Sequence, residues 1–167
     1  MYDELTQVDI KKMQEELDYR ILTLRPKLIA DVQFARSYGD LSENFEYKEA
    51  KRQRGRNESR IRYLQRMIKT ARVVAPTNTG PGVGLFDTVT LYLPEDQEEM
   101  TVQLVTTLRT KADQGRISRE SPLGRAIFGK KAGDQVQVKV NDTVSYPVVI
   151  RAIQKGQDDE SMEIAKY

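Results

Sequence analysis

Cysteine, histidine and tryptophan are all absent from this 167-residue sequence. Without cysteine there can be no disulfide bond and no thiolate metal site. Without histidine the commonest general base and neutral metal ligand is missing, which excludes serine–histidine and cysteine–histidine catalysis and the usual structural zinc sites. Any chemistry must therefore use carboxylates, lysine, tyrosine, hydroxyl groups or a metal supplied from elsewhere.

Long apolar runs are also missing, so we expect no membrane-spanning segment. Charged residues make up 31% of the chain, and its first twelve residues, MYDELTQVDIKK, are polar and acidic rather than typical of a signal peptide. These features predict a cytoplasmic protein of one or two domains.

Positive charge is concentrated in one segment. Residues 48–72 contain ten Lys or Arg against two Glu, whereas residues 76–167 contain 11 basic and 13 acidic side chains. A basic segment of this kind favours a polyanionic partner such as nucleic acid, but a solvated helix face would have the same composition. Charge alone leaves both interpretations open.

The first half of the chain has the apolar spacing of two long helices, residues 6–37 and 43–72, joined by a short turn. At about 1.5 Å per residue they predict an antiparallel hairpin roughly 45 Å long. Pro26 interrupts the first helix and predicts a kink or a local adjustment there. The predicted seam consists of Ile10, Met13, Leu17, Ile21, Leu24, Leu28, Val32 and Ala35 on the first helix and Tyr47, Ala50, Arg54, Asn57, Ile61, Leu64, Ile68 and Ala71 on the second.

After the proline- and glycine-rich stretch at 73–84 the pattern changes to alternation with a period of two, which indicates strands. We predict a hairpin domain at 1–75, a linker at 76–84 and a small sheet domain at 85–167. A short helix is predicted at 121–129, and the acidic tail is expected to be partly disordered. The predicted strands are 87–93, 100–105, 134–140 and 144–153, with a turn at 141–143 and Pro147 at an edge position or a bulge.

The turn of the hairpin, GDLSENFEY at 39–47, carries a tight group of carboxylates. Asp40 and Glu43 have the spacing of a capping box, which would make them structural. Alternatively, two carboxylates on one side of a helix start can supply oxygen ligands to Mg²⁺. They are too few to enclose a metal alone, so this second interpretation requires a metal that another molecule already holds.

This same motif resembles the GDLxENxEY signature of the Gre transcript-cleavage factors of bacteria. The resemblance covers nearly the whole chain, from RPKLIADVQFARSYGDLSENFEYKEAK to RISRESPLGRAIFGKKAGDQVQV. It implies an α+β protein with an N-terminal antiparallel coiled coil, whose acidic tip spans 38–46, and a C-terminal FKBP-like domain. Phe45 departs from the small residue that the family usually has at this position.

The resemblance implies an accessory elongation factor, not an enzyme itself, that acts as a monomer on bacterial RNA polymerase. The C-terminal domain would dock at the mouth of the secondary channel, and the coiled coil would reach toward the active site. There it would stimulate the polymerase's own cleavage of backtracked RNA at the extruded 3′ end. The alternative is a paralogue that occupies the channel as an inhibitor, and an independent metal nuclease is disfavoured.

Site residues follow from the resemblance position by position. Asp40 and Glu43 match the tip acids, which would share a Mg²⁺ only within the polymerase active site, so the isolated protein is expected to bind no cofactor. Arg36 and Lys51 match the basic patch that contacts RNA, and charge alone adds Lys48, Arg52 and Arg54. Polymerase docking is assigned to the segment containing Ser121, Pro122, Gly124 and Arg125.

Overall fold

A helical hairpin followed by a small mixed sheet makes up the computed structural model, which describes residues 3–39, 44–75 and 80–166. The predicted α+β class is confirmed. None of the helices in the described residues is long and apolar enough to cross a membrane. The α-helices are α1 (Gln7–Tyr19), α2 (Arg25–Arg36), α3 (Phe45–Thr70) and α4 (Pro122–Ile127). The strands are β1 (Glu4–Leu5), β2 (Arg72–Val73), β3 (Thr88–Leu93), β4 (Glu98–Val105), β5 (Arg116–Ser118), β6 (Gln135–Lys139) and β7 (Ser145–Gln154).

The chain divides into two compact units. The hairpin unit is Ile10–Ala71, and the globular unit combines Asp3–Asp9 with Arg72–Lys166. Strand β1 pairs in parallel with β2, which places Leu5 opposite Val73. Residues 3–9 therefore group with the sheet, although the predicted hairpin domain included them.

The hairpin unit buries the predicted apolar seam over much of its length. Helix α2 packs against α3, and the spacing of apolar residues by threes and fours puts them on the facing sides. Arg54 is an exception, because it is exposed, so its predicted place on the seam is wrong. The buried apolar side chains of this unit are Met13, Leu17, Leu28, Val32, Ala35, Ile61, Leu64 and Met67.

A π-helical segment, Arg20–Leu24, joins α1 to α2 just before Pro26. The backbone N–H of Arg25 donates to the carbonyl of Arg20, five residues back. A proline inside a helix has no N–H to donate and its ring crowds the preceding turn, so the wider π turn relieves that conflict without ending the helix. The local adjustment predicted at Pro26 is confirmed.

Polar contacts supplement the narrow seam of the hairpin unit. The Arg60 guanidinium donates to both carboxylate oxygens of Glu16, at 2.8 and 3.1 Å, and Arg20 donates to Glu16 at 2.8 Å. Arg20 also donates to the side-chain carbonyl of the buried Asn57, at 2.9 Å. Asn57 was predicted on the seam, and this hydrogen bond explains how a polar side chain is tolerated there.

The globular unit contains a five-stranded sheet in the order β5–β4–β3–β7–β6, which is antiparallel except for the β4–β5 pair. The pairing of β3 with β7 shifts register at a bulge between Thr90 and Leu91 and then continues as far as Tyr92 opposite Val149. Pro147 lies beyond that pairing and has a partner only in β6, so its predicted edge position is confirmed. The predicted turn is also present, because the Asn141 side chain accepts from the backbone N–H groups of Thr143 and Val144.

An apolar core lies between the sheet and α4. Val83 is part of it, fully buried and bridged to Phe128, although it falls within the predicted linker at 76–84. Residues 76–79 of that predicted linker lie outside the described residues. The buried members of the core are Val83, Val89, Leu91, Val102, Leu104, Ile127, Val138, Val148 and Ile150.

A second buried feature of the globular unit is a charge network around Arg109. Its guanidinium donates to Asp9 at 2.6 Å, to Thr6 at 3.2 Å and to Asp158, and all four side chains are buried or nearly so. Met162 is also buried, in a smaller apolar cluster. The predicted disorder of the acidic tail is therefore wrong at Asp158 and Met162, because a buried cation and an apolar cluster hold them.

Candidate nucleic-acid interface on the hairpin

The start of α3 is capped by Asn44. Its backbone is extended, its side-chain oxygen accepts from the backbone N–H of Tyr47 at 3.0 Å, and its side-chain amide donates to the carbonyl of Ala35 at 2.7 Å. One residue thus satisfies an orphan N–H of α3 and a C-terminal carbonyl of α2. The interpretation of Asp40 as the N-cap is wrong, since Asn44 occupies that position.

Asp40 and Glu43 themselves lie outside the described residues. Their assignment as tip acids and as ligands of a shared Mg²⁺ therefore stays a prediction. In the described ranges, no group of three or more acidic, cysteine or histidine side chains could hold a metal ion.

A cationic and aromatic cluster lies next to that turn. Arg36, in the last turn of α2, donates to the phenol oxygen of Tyr47 at 3.5 Å, and its guanidinium carbon is 5.7 Å from the ring centroid. The Lys51 ammonium is 5.3 Å from the same centroid. The hydrogen bond from Arg36 lowers the pKa of the Tyr47 phenol, and the Lys51 charge lowers it further. Two predicted RNA-binding residues from different helices therefore meet on one ring.

The other predicted RNA-binding residues lie elsewhere on α3. Lys48 lies over the ring of Phe45, 5.7 Å from its centroid, and Arg52 pairs with Glu49 at 3.3 Å. Arg54 is exposed on the same helix. All three remain available to solvent, but the structure does not bring them into the Arg36–Tyr47–Lys51 cluster.

Sequence reasoning missed two contributions near the turn. The seam pattern includes Tyr47, yet this side chain is only half-buried and two cations contact its ring. Asn44 was not considered as a cap, although asparagine is among the most favoured N-cap residues. Its position directly before Phe45 was the available signal.

The predicted docking segment has a largely structural arrangement in α4. Ser121 is the N-cap and accepts from the backbone N–H of Gly124 at 3.0 Å, and Pro122 occupies the first turn. A Cβ added at Gly124 would lie 2.1 Å from the carbonyl oxygen of Ser118, so only glycine fits. Arg125 is exposed and pairs with Glu120 at 3.5 Å. Of the four residues, Arg125 offers the charged side chain that a partner can contact.

Together these features define a class: α+β proteins that combine a cationic helical hairpin with a small sheet domain. The family model described as "Transcription elongation factor, N-terminal" matches residues 4–73. The model described as "Transcription elongation factor, GreA/GreB, C-term" matches residues 78–155. The chain therefore belongs to the GreA/GreB family of transcription elongation factors.

Individual relatives agree with this assignment. The transcription elongation factor GreA of Trichlorobacter lovleyi is 44% identical over 87% of this chain and 93% of its own length. The GreA of Pelobacter propionicus is 43% identical over the same shares. The crystal structure of GreA factor homolog 1 of Thermus thermophilus covers 92% of this chain and 99% of its own, with 22% identity and a TM-score of 0.43, a likeness too weak to carry a functional argument.

Proposed function

We propose that this chain binds bacterial RNA polymerase, inserts its hairpin into the secondary channel and stimulates the polymerase's own cleavage of backtracked nascent RNA. The Arg36–Tyr47–Lys51 cluster is the observation that carries this proposal. Cations drawn from two helices meet beside the turn that holds Asp40 and Glu43, in a chain that belongs to a family of elongation factors.

The cationic cluster and the acids of the turn would act on different groups. Arg36 and Lys51 would contact phosphates of the extruded RNA, which gives salt-sensitive binding without sequence preference. Asp40 and Glu43 would supply oxygen ligands within the polymerase active site, where a bound Mg²⁺ activates water for hydrolysis. The chain itself would be an accessory factor, a cytoplasmic monomer whose globular unit docks on polymerase through the face that includes Arg125.

The alternative is a regulator that occupies the same channel without stimulating cleavage. Both proposals predict polymerase binding, so binding alone does not separate them. Retention of Asp40 and Glu43 in the family motif favours the cleavage role. The Asn44 cap also favours it, because a capping requirement no longer explains Asp40.

The deciding experiment uses backtracked elongation complexes with end-labelled RNA and Mg²⁺. We expect the wild-type chain to accelerate RNA shortening, and Asp40→Ala and Glu43→Ala each to abolish the acceleration while still binding polymerase. Glu15→Ala is the matched control, since it removes an exposed carboxylate from α1 far from the turn in sequence. We expect this control to behave as wild type.

Two results would contradict the proposal. If the wild-type chain binds but only slows synthesis, the channel-blocking regulator is correct. If the isolated chain cleaves free RNA in Mg²⁺, it is an enzyme in its own right rather than an accessory factor.

A further inference from the structure

An open groove of about 690 Å³ lies between α2 and α3 near the turn of the hairpin. On α3, Phe45, Glu49 and Gln53 are spaced by four and share the face that lines it. Tyr47 and Lys51 are offset by roughly 200° from these three residues and by roughly 100° from Glu46 and Ala50, and neither of them lines the groove. The groove is therefore separate from the Arg36–Tyr47–Lys51 cluster.

Aromatic side chains project at the edges of this groove. Phe45 is 81% exposed and Phe34 is 66% exposed, and Tyr38 meets Phe34 edge to face with the ring centroids 5.2 Å apart. Leu28, Ala35 and Ala50 add apolar lining. On such a highly charged hairpin, clustered exposed aromatics indicate a contact surface for another molecule.

The charges that line the groove select the kind of occupant. The lining contains one cation, Lys27, and three carboxylates, those of Asp31, Glu46 and Glu49. Lys27 pairs with Asp31 at 3.0 Å. Glu49 pairs with Arg52, whereas Glu46 has no ion pair with any residue that the structure describes. The lining residues carry a net negative charge, Lys48 lies over the Phe45 ring at the edge, and Glu46 is the carboxylate left to attract lysine or arginine. RNA is therefore suited to the Arg36–Tyr47–Lys51 side, and a basic protein segment is suited to the groove.

We propose that the groove between Phe34 and Phe45 docks a protein segment of RNA polymerase that presents an apolar side chain flanked by basic residues. The apolar side chain would lie between the two phenylalanines, and a cation would meet Glu46. This inference rests on the proposed function and adds a protein contact to the RNA contact proposed for the Arg36–Tyr47–Lys51 cluster.

The test measures the affinity of the full chain for bacterial core RNA polymerase that contains no RNA. We expect the double variant Phe34→Ala/Phe45→Ala to bind roughly tenfold more weakly than wild type, as expected when exposed aromatic anchors are removed. Glu46→Gln should weaken binding about threefold, and raised salt should reduce that difference because the contact is electrostatic. Leu22→Ala is the matched control, since Leu22 is 74% exposed on the same unit and does not line the groove.

Each outcome has a distinct meaning. If the wild type binds and the double variant binds equally well, the docking inference is wrong and the proposed function survives. If the double variant weakens binding only when backtracked RNA is present, the groove contacts RNA instead. If Leu22→Ala weakens binding as much as the double variant, the effect does not belong to the groove. If the wild type does not bind polymerase at all, both the proposed function and this inference are wrong. Far-ultraviolet circular dichroism is recorded for every variant, and an unchanged spectrum excludes unfolding as the cause of a loss of binding.

Discussion

The two units of this protein bury charge in different ways. The globular unit has an enclosed apolar core, and its deepest cation, Arg109, is fully buried with acidic partners around it. The hairpin unit has only a seam, and its ion pairs, such as Arg60 with Glu16, remain partly exposed on at least one side. Two helices have too much surface for their volume to enclose a core. The hairpin unit therefore depends more than the globular unit on partly exposed polar contacts for its stability, and its remaining charges are available for binding.

The largest effect is expected from Arg109→Met in the globular unit. The change leaves Asp9 and Asp158 buried without their counter-charge, so we expect a loss of about 3–5 kcal/mol in the free energy of unfolding. Urea unfolding measures the loss, and amide hydrogen exchange in β3 and β4 locates it. Arg151→Met is the control, because its pair with Glu99 is about half exposed, and we expect a change within about 1 kcal/mol. Equal losses for the two variants would contradict the distinction between buried and exposed charge.

A smaller loss is expected from Arg60→Met in the hairpin unit. The variant removes the bidentate hydrogen bonds from Arg60 to the Glu16 carboxylate. We expect a loss of about 1.5–3 kcal/mol in the free energy of unfolding. Glu16 keeps its hydrogen bond from Arg20 and some contact with water, which is why the loss should be below that of Arg109→Met. The control is Arg25→Met, whose pair with Glu58 is about one-third exposed on both sides, with an expected loss below about 1 kcal/mol. If Arg60→Met costs as much as Arg109→Met, the hairpin buries charge as completely as the globular unit.

A local effect is expected from Asn44→Ala. Loss of the N-cap should cost about 1 kcal/mol and should lower hydrogen-exchange protection in the first turn of α3 more than near Leu64. Asn44→Asp is the informative companion, since aspartate also caps helices but cannot donate to the carbonyl of Ala35. Unchanged protection at Tyr47 and Lys48 in the alanine variant would show that Asn44 is not the effective cap.

The smallest effect is a dependence on pH that is confined to acid. Burial raises the pKa of Glu16, but hydrogen bonds from Arg60 and Arg20 outweigh it, so the net shift is below the ordinary value of 4.5. The hydrogen bond from Arg25 likewise lowers the pKa of Glu58. Because the folded-state pKa values are lowered, the stabilisation is present above pH 4.5 and is lost as the pH falls through them.

This dependence is measurable as the urea midpoint of the helical signal at a series of pH values. We expect a constant midpoint from neutral pH to about pH 5 and a fall below about pH 4.5. Glu16→Gln should flatten that fall, whereas Glu15→Gln, which changes an exposed neighbour, should not. A midpoint that rises on acidification would mean that the pKa of Glu16 is raised rather than lowered.

Much of the fold could be predicted because its signals are local. The helical spacing identified Met13, Leu17, Leu28 and Val32 as buried, and the alternation after residue 84 identified four of the sheet's five strands. Strand β5 was not predicted, since three residues are too few to show a period. Arg54 has the spacing of the seam but is exposed, because a long charged side chain can turn toward water from a boundary position.

The candidate site was less predictable. Arg36 and Lys51 were found from the family motif, but the ring of Tyr47 that brings them together was not. Asp40 and Asn44 are both good N-cap residues by type, and only the backbone conformation shows that Asn44 is the cap. Phe34 and Phe45 are eleven residues apart, and only the packing of α2 on α3 places them on one groove.

By itself, the sequence determined the absence of histidine and cysteine chemistry, the two helices, the strands and the family motif, because composition and periodicity depend on near neighbours along the chain. The tertiary structure alone decided which distant residues meet. Asp9 and Arg109 are 100 positions apart, and Arg36 reaches Tyr47 across the hairpin. Such contacts depend on how whole elements pack, and no local pattern encodes the direction in which a long charged side chain finally points.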